Sequence, residues 1–325
     1  MLRLANRQYV VRLFIIGICL SLLAVYCGRH TSDLRFLSRL HGIHVTLFAV
    51  LVALANLAAT YKLFVVLHWL GLRNMDFVKW VRVFVASRLA SFCVMQGTNL
   101  YRAIRLKKDY SFSYSGSVGV TAVITCFDVA SVLLVTGVLV LAAGRFRSVT
   151  GLLLVAAAAA MISPLLVLPP LVRRLGPADA SAKAGWRGWA VGRMRVLAEV
   201  VARCTKDLRT MAFISGMTIA VYLALLGGTA VCLTAFGREV SMFDAALLTS
   251  VLVLSRTVNI VPGNLGVSEL LTGVSAGLLM DEAMYGVMLS AIFRIVDFAV
   301  IGLAFLAFGL ERVIRKTRGG ERRIP

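Results

Sequence analysis

Charged side chains embedded in long apolar stretches are the residues of this sequence best suited to chemistry. Three arginines and two aspartates have this setting: Arg88, Arg256, Arg294, Asp128 and Asp297. A charged side chain at the centre of a bilayer costs about 2.5–3.5 kcal/mol on insertion scales, so each needs a compensating interaction. The planar fork of an arginine can bind two phosphate oxygens at once. We therefore interpret the set as a candidate site for the headgroup of a phospholipid or of a polyprenyl-phosphate-linked lipid.

Structural roles for the same charges also fit the sequence. Arg294 and Asp297 are three residues apart, so on one helix they could pair with each other. Arg88 could extend its charged end to a membrane interface. Lys62, which follows Tyr61 in another apolar run, could join the candidate site.

The same order of features surrounds these charges twice. The order is an arginine, a glycine-containing break, a second charged residue and an aspartate inside a span. The first half has Arg88, Gly97, Arg102 and Asp128 in these places, and the second half has Arg256, Gly263, Glu269 and Asp297. This agreement in order predicts an internal repeat.

Glycine and proline at the two breaks predict interrupted helices. Proline removes a backbone donor, and glycine costs about 1 kcal/mol in a helix interior. In lipid, a broken backbone persists only where it is buried in protein or lines a wet cavity. We interpret residues 79–105 and 243–280 as two re-entrant helical hairpins, with ordinary kinked spans as the alternative. After the second break, Gly266 would begin a half-helix whose free N–H groups could face an anion.

The elements that position these residues are predicted to be membrane-spanning helices. The 325 residues are 59% hydrophobic and only 15% charged, whereas soluble domains carry about 25% charged residues. A span needs about 20 apolar residues. The apolar runs are 13–27, 45–70, 118–143, 149–172, 211–236 and 284–310. The first run lacks a small-x-small site before Gly28, which favours an uncleaved span over a signal peptide.

The predicted fold class is an all-α polytopic membrane protein with about six spanning helices plus two re-entrant helical hairpins in an inverted-topology repeat. Residues 1–148 form the first half, 149–310 the second half and 311–325 a basic tail. Three spans and one hairpin in each half would invert the second half relative to the first. Between the halves, residues 186–209 have apolar and basic residues at helical spacing, which predicts an interfacial helix.

The basic excess indicates topology rather than a nucleic-acid partner. The net charge is +20, which in a soluble protein would suggest nucleic acid. If the N-terminus is inside, 25 of the 35 Lys and Arg residues fall in inside segments and 6 in outside segments. Lys and Arg stay on the cytoplasmic side of membrane proteins. The distribution therefore predicts a multi-pass protein of the cytoplasmic (inner) membrane, with both termini inside.

The two breaks carry motifs that resemble a known family. Residues 259–269 read N-I-V-P-G-N-L-G-V-S-E, which resembles the P-G-G-L-G-V-R-E signature of the lysylphosphatidylglycerol synthase transmembrane-region (flippase-like) family. Residues 97–103 read G-T-N-L-Y-R-A, which is similar to the family's G-E-x-x-R-A segment. The chain differs from these patterns at Thr98, Asn99, Asn264 and Ser268. The resemblance implies a bacterial inner-membrane protein that moves aminoacylated phospholipids or related lipids. We expect only the membrane region, without the soluble aminoacyl-transferase domain of bifunctional members.

Three functions remain open on the sequence alone. The first is a lipid flippase or transporter, and the second is a lipid-binding partner of a separate synthase or glycosyltransferase. The third, a membrane-embedded lipid-modifying enzyme, is less favoured because the sequence has no paired-carboxylate motif, no Ser/His/Asp arrangement and no H-E-x-x-H motif. A Walker-type nucleotide-binding loop is also missing from the sequence, so ATP is not predicted to drive the protein directly. The six cysteines are scattered without a C-x-x-C pair, so no metal or cofactor is predicted. The predicted substrate-binding residues are Arg88, Arg102, Asp128, Arg256, Gly263, Gly266, Glu269, Arg294 and Asp297.

Overall fold

The regular secondary structure of the described residues is entirely helical. The computed structural model describes residues 41–93, 96–143, 148–174, 186–206, 208–237, 241–257 and 264–320. The helices are α1 Gly42–Trp69, α2 Phe77–Cys93, α3 Gly97–Tyr110, α4 Tyr114–Ala143, α5 Ser148–Arg174, α6 Trp186–Lys206, α7 Leu208–Ala235, α8 Met242–Thr257, α9 Val267–Met280 and α10 Ala283–Gly320.

Four of these helices have the length and apolar composition needed to cross a membrane. They are α1, most of α4, α7 and residues Ala283–Leu310 of α10, each of 28 or 29 residues. α5 contains the predicted run 149–172 and contributes a shorter apolar segment, Gly151–Ser163. The predicted first run, 13–27, lies outside the described residues. The prediction of a helical membrane protein is thus confirmed.

Large apolar side chains cover the outside of these helices. On α10, Leu303, Leu306 and Leu310 are each more than 60% exposed, and α1 exposes Leu54 and Leu57 in the same way. The exposed face of a helix in a soluble protein would carry polar residues instead. These surfaces therefore fit contact with lipid rather than with water.

The spanning helices pack around two helix pairs, α2–α3 and α8–α9. α1 packs along α7, α4 contacts α7 and α8, and α10 contacts α1 and α2. Buried aromatic residues fix some of these contacts. The Trp80 indole N–H donates to the carbonyl of Thr60 at 3.2 Å and joins α2 to α1, while Phe48 of α1 meets Phe293 of α10 edge-on at 5.1 Å.

The breaks between paired helices depend on close backbone approach. A Cβ added at Gly97, the first residue of α3, would lie 2.3 Å from the carbonyl oxygen of Ala90 in α2. Before α9, Asn264 and Gly266 both have positive φ, 57° and 81°. Asparagine and glycine tolerate this left-handed backbone better than other residues. The glycines predicted to interrupt the helices thus allow tight turns.

The start of α2 is fixed by a side-chain cap outside the apolar spans. The backbone N–H of Lys79 donates to Oδ1 of Asp76 at 3.0 Å. This hydrogen bond stabilises the carboxylate and holds the pKa of Asp76 below its ordinary value. The cap satisfies one of the N–H groups that a helix leaves unpaired at its beginning.

A helix also occupies most of the segment predicted to be interfacial. α6 packs against α4 and α5, with Val201 and Cys204 buried, while Arg203 and Glu199 form an exposed ion pair of 2.7 Å. The buried apolar face and the exposed charged face of α6 agree with the helical spacing of apolar and basic residues in the sequence. The position of α6 at a membrane interface stays a prediction.

Candidate functional site

A small polar cavity lies where the two helix pairs meet α10. Its volume is about 80 Å³, and we call it the central cavity. The lining consists of Arg88, Ser91 and Phe92 of α2, Thr98 of α3, Arg256 of α8, Asn264 and Ser268 at the start of α9, and Ser290, Arg294 and Asp297 of α10. Arg88 and Arg256, which lie in the two hairpin segments predicted from the sequence, thus line the same cavity.

An ion pair between α2 and α10 forms one wall of the central cavity. Arg88 Nη2 lies 2.8 Å from Asp297 Oδ2, and the amide of Asn56 donates to Oδ1 of the same carboxylate at 2.8 Å. Asp297 is only 4% exposed and lies at the middle of the apolar segment of α10. Both carboxylate oxygens therefore have donors, so a buried charge is compensated. The alternative that Arg88 extends to an interface is wrong, because it pairs inside the protein.

A second ion pair joins α10 to the start of α9. Arg294 Nη2 lies 2.9 Å from Glu269 Oε1 and donates to the carbonyl of Asn264 at 3.0 Å. Glu269 is buried, and its Oε2 accepts the N–H of Gly266 at 2.8 Å. The alternative pair between Arg294 and its neighbour Asp297 is therefore wrong, since each has a partner on another helix. The N–H of Gly266 itself is occupied by Glu269, and the interpretation that the N–H groups following Gly266 could face an anion stays a prediction.

Arg256 differs from the other two arginines of the cavity. Its guanidinium carbon lies 4.2 Å from the centre of the Phe293 ring, a cation–π contact worth about 0.5–2 kcal/mol. Within the part of the chain that the structure describes, no carboxylate forms an ion pair with Arg256. The segments 94–95 and 258–263, which lie outside the described residues, contain no ionisable side chain. Arg256 thus brings a positive charge that the ion pairs leave unneutralised.

Three buried polar atoms on the cavity-lining residues lack hydrogen-bond partners among the described residues. They are Nε of Arg88, Nη1 of Arg294 and Oδ1 of Asn264. A buried polar group without a partner costs about 1–3 kcal/mol. A bound group that accepts hydrogen bonds from the guanidinium groups would recover part of this cost.

The charges around the central cavity do not cancel. Among the described residues, Arg88, Arg256 and Arg294 line it, and Asp297 and the adjacent Glu269 are the carboxylates that oppose them. The excess is therefore one positive charge, in a site where low surrounding polarity strengthens electrostatic interactions. An anionic group is the ligand that such a site can bind.

Two predicted site residues lie apart from the central cavity. Arg102 donates from Nε to the hydroxyl of Ser87 at 2.9 Å and stacks over the Phe84 ring at 4.3 Å. Asp128, at the middle of the apolar segment of α4, pairs instead with Lys62 of α1. Neither lines the cavity, so the structure does not bring them together with its three arginines, and their contact with a substrate stays a prediction. Gly263 lies outside the described residues.

The Lys62–Asp128 pair joins three spanning helices. Lys62 of α1 is 3% exposed and forms an ion pair with Asp128 of α4. Thr218 of α7 donates to Asp128 at 2.7 Å and accepts from Lys62 at 3.0 Å. Lys62 is therefore separate from the arginines of the cavity, contrary to the suggestion that it joins them.

The sequence interpretation missed the uncharged members of the site. Asn56 holds Asp297, and Asn264 supplies both a carbonyl acceptor for Arg294 and a lining amide. Asn56 is one of few polar residues in the run 45–70, and that interruption is a signal for it. Thr98 and Ser290 gave no comparable signal, because small hydroxyl residues are common throughout these helices.

Comparison of the chain with protein-family models, with curated proteins and with solved structures finds no match. The resemblance of the two sequence motifs to a flippase-like family therefore stays an expectation. The assignment of a function rests on the central cavity and its charges.

Proposed function

We propose that this chain is a lipid transporter that moves an anionic headgroup across the membrane through the central cavity. One observation supports the proposal most strongly. Arg88 and Arg256, which belong to separate helix pairs, line one cavity that has an excess of positive charge. Asp297, which lines the same cavity, is at the middle of a helix long enough to span a membrane. A headgroup held there would be about halfway between the two surfaces.

The chemistry of the cavity favours a phosphate-bearing headgroup. Guanidinium groups match phosphate oxygens in a planar, bidentate geometry. The ion pairs hold Arg88 and Arg294 in fixed positions, whereas Arg256 stacks on an aromatic ring and forms no ion pair with a described residue. Phospholipids and polyprenyl-phosphate-linked lipids both present such a group, and both are proposed as substrates.

Reciprocal helix contacts support an inverted-repeat transporter architecture. α4 contacts α7 and α8, and α10 makes the corresponding contacts to α1 and α2. Each mid-span aspartate is held by the spanning helix that precedes the helix pair of the other half, since Thr218 of α7 donates to Asp128 and Asn56 of α1 donates to Asp297. We therefore propose that α2–α3 and α8–α9 are re-entrant pairs within six spans and two inverted halves. Transporters of this type bind substrate where broken helices meet.

We further propose that the protein lies in the cytoplasmic membrane with both termini inside, and that it belongs to the flippase-like family its motifs resemble. The distribution of Lys and Arg supports the orientation. The two motifs lie at the breaks before α3 and α9, which are the breaks that border the central cavity. This agreement between motif and cavity supports the proposed family function.

A reconstituted transport assay tests the proposal. Purified protein in vesicles would be given a panel of labelled anionic, zwitterionic and polyprenyl lipids, and their movement between leaflets would be followed by a membrane-impermeant quencher. We expect anionic lipids to move, Arg256→Gln to lower their rate at least tenfold, and Arg203→Gln on the exposed face of α6 to leave it unchanged. Movement that is absent for every lipid, or equal in the Arg256 variant, would overturn the proposal.

A lipid-binding partner of a separate synthase or glycosyltransferase is the second candidate. The observation that favours it is the small volume of the central cavity, about 80 Å³, between helices tied by two ion pairs. The same assay separates the two, because a binding partner would retain anionic lipid without moving it. Mass analysis of the lipids recovered from the vesicles tests the enzyme alternative, which requires chemical change.

A further inference from the structure

A second, much larger cavity lies at one end of the α2–α3 pair. Its volume is about 1060 Å³, and its walls come from the α1–α2 connection, α2, α3 and the distal part of α10. We call it the basic vestibule, because among the described residues its lining has four basic side chains and one carboxylate: Arg73, Lys79, Arg82, Arg105 and Asp109. The positive excess of these residues is larger than that of the described residues around the central cavity.

The basic vestibule and the central cavity are both lined by α2, α3 and α10 but lie at different depths. On α10 the vestibule reaches Phe308, whereas the central cavity reaches Asp297, eleven residues earlier. A helix rises 1.5 Å per residue, so the two levels differ by about 16 Å, roughly half the thickness of a bilayer core. On α2 the same progression runs from Lys79 at the vestibule to Arg88 at the central cavity. The vestibule therefore lies near one membrane surface, the side that the distribution of Lys and Arg predicts to be cytoplasmic.

One wall of the basic vestibule borders the surface that faces lipid. Phe305 and Phe308 line the vestibule from α10, and Phe305 is 48% exposed. Leu303, Leu306 and Leu310 on the same part of α10 are 62–68% exposed. Such a surface suits acyl chains, so a headgroup in the vestibule could remain attached to chains that stay in the bilayer.

Aromatic rings hold two of the basic groups in position. The guanidinium of Arg82 lies 5.4 Å from the Phe308 ring centre, and that of Arg105 lies 5.6 Å from the Tyr101 ring centre. Arg105 also donates to the Tyr101 hydroxyl at 3.3 Å. Stacking of this kind limits the motion of a guanidinium, and Arg105 Nη1 also lies 3.9 Å from Oδ2 of Asp109. The vestibule is therefore a more ordered site than a row of exposed lysines.

We infer that the basic vestibule is a second anion-binding site, which takes the phosphate-bearing headgroups of lipids from the adjoining leaflet. Its four basic groups bind the phosphate, and the α10 side leaves the acyl chains in the bilayer. The inference rests on the proposed function in one respect only: in a transporter this site loads the central cavity, which α2 and α3 connect to it.

A binding experiment with paired variants tests the inference. Detergent-purified protein would be titrated with short-chain phosphatidylglycerol, phosphatidylcholine and free glycerol phosphate. The vestibule variant is Arg82→Gln with Arg105→Gln, and its control is Lys107→Gln with Lys108→Gln, which removes the same charge from exposed positions of α3 outside the vestibule. We expect the vestibule variant to bind phosphatidylglycerol at least tenfold more weakly and the control to bind as the unchanged protein does.

Each other result overturns the inference. Equal weakening in both variants would mean a general field of positive charge, and no weakening in either would mean no site. If free glycerol phosphate binds as tightly as phosphatidylglycerol and displaces it, the site serves a water-soluble anion and the lipid assignment fails. A vestibule variant that unfolds would be replaced by Arg82→Lys with Arg105→Lys, which retains the charge but lacks the planar fork, and is expected to bind phosphatidylglycerol several-fold more weakly than the unchanged protein. Binding by the Lys pair that equals that of the unchanged protein also overturns the inference.

The transport assay separates this inference from the proposed function. Vestibule variants should raise the lipid mole fraction that gives half-maximal movement, whereas Arg256→Gln should lower the maximal rate. If the protein moves no lipid but the vestibule variant loses phosphatidylglycerol binding, the proposed function fails and the vestibule site stands. If movement occurs and the vestibule variants leave its concentration dependence unchanged, the inference fails alone.

Discussion

Arg88 Nη2 and Asp297 Oδ2 lie 2.8 Å apart and connect α2 to α10 at the middle of a helix long enough to span a membrane. The side chain of Asp297 is 6% exposed, whereas that of Arg88 is 29% exposed because it also lines the central cavity. Asp297 is therefore enclosed by protein, whereas Arg88 is accessible to a ligand in the cavity. This asymmetry separates effects on stability from effects on binding.

Removal of either partner of this pair should destabilise the protein. Loss of one member of a buried ion pair costs about 3–5 kcal/mol, and exposure of Arg88 to the cavity should reduce that cost. We expect Asp297→Asn to lower the free energy of unfolding more than Arg88→Gln does, because Asp297→Asn leaves the Arg88 guanidinium without its carboxylate partner and also removes a negative charge that interacts with Arg256. The measurement is a double-mutant cycle on unfolding in detergent.

An exposed ion pair on α6 provides the control for that cycle. Arg203 and Glu199 have side chains that are 60% and 62% exposed, and such pairs contribute about 0–1 kcal/mol. Their cycle should show little coupling. Additive effects of Arg88→Gln and Asp297→Asn would contradict the role assigned to the buried pair.

Two glycines of α10 should differ sharply in their tolerance of alanine. A Cβ at Gly286 would lie 2.0 Å from the carbonyl oxygen of Thr272 in α9, whereas a Cβ at Gly302 meets nothing within 4 Å. Gly286→Ala must therefore separate α9 from α10, and overpacking of this kind costs about 1–3 kcal/mol or more. We expect Gly302→Ala to leave thermal stability unchanged or slightly higher. Equal thermal stability of the two variants would mean that the contact between α9 and α10 is not as close as described.

Much of the fold, but less of the site, could be predicted from the sequence. Apolar runs of about 20 residues predicted the spanning helices, since a segment that crosses lipid must pair its backbone groups within a continuous helix. The glycine at position 97 gave the break before α3, because a side chain cannot fit against Ala90. Pairing partners were harder to predict: Arg294 and Asp297 are neighbours on one helix face, but each pairs with a residue on another helix. Tertiary contacts decide such choices, and spacing along one helix cannot.

The Lys62–Asp128 pair should prove structural. Asp128→Asn leaves the ammonium of Lys62, which is 3% exposed, with only Thr218 as a described partner. We expect this variant to yield less folded protein, measured by gel-filtration recovery. The double variant Lys62→Met with Asp128→Asn should restore folding and lipid movement together, because no uncompensated charge remains. A double variant that folds but moves no lipid would indicate that Asp128 takes part in transport.

The proposed orientation can be measured on intact cells. In a background without the native cysteines, single cysteines at Arg145 and Arg238 should react with a membrane-impermeant thiol reagent from outside. Cysteines at Lys183 and Arg318 should react only after the membrane is opened. The reason is the concentration of Lys and Arg in the segments assigned to the cytoplasm. Labelling of Lys183→Cys from outside would reverse the assignment.

The binding of an anionic headgroup in the central cavity is tested most directly by the affinity of Arg256 variants for an anionic lipid, measured together with their stability. Arg256 lines the central cavity without an ion-pair partner among the described residues. A charged hydrogen bond contributes about 1.5–3 kcal/mol, so Arg256→Gln should weaken phosphatidylglycerol binding roughly 10–100-fold. Arg256→Lys should recover only part of the affinity, since an ammonium lacks the planar fork.

Stability must be measured on the same samples, because it separates a ligand-binding arginine from a structural one. We expect Arg256→Gln to reduce the free energy of unfolding less than Arg88→Gln, since only Arg88 loses an ion pair. A neutral lipid that lacks a phosphate should bind equally to all variants. If Arg256 binds the anionic headgroup in the central cavity, a stably folded Arg256→Gln protein will bind phosphatidylglycerol more weakly. Unchanged binding by that protein would contradict this role of Arg256.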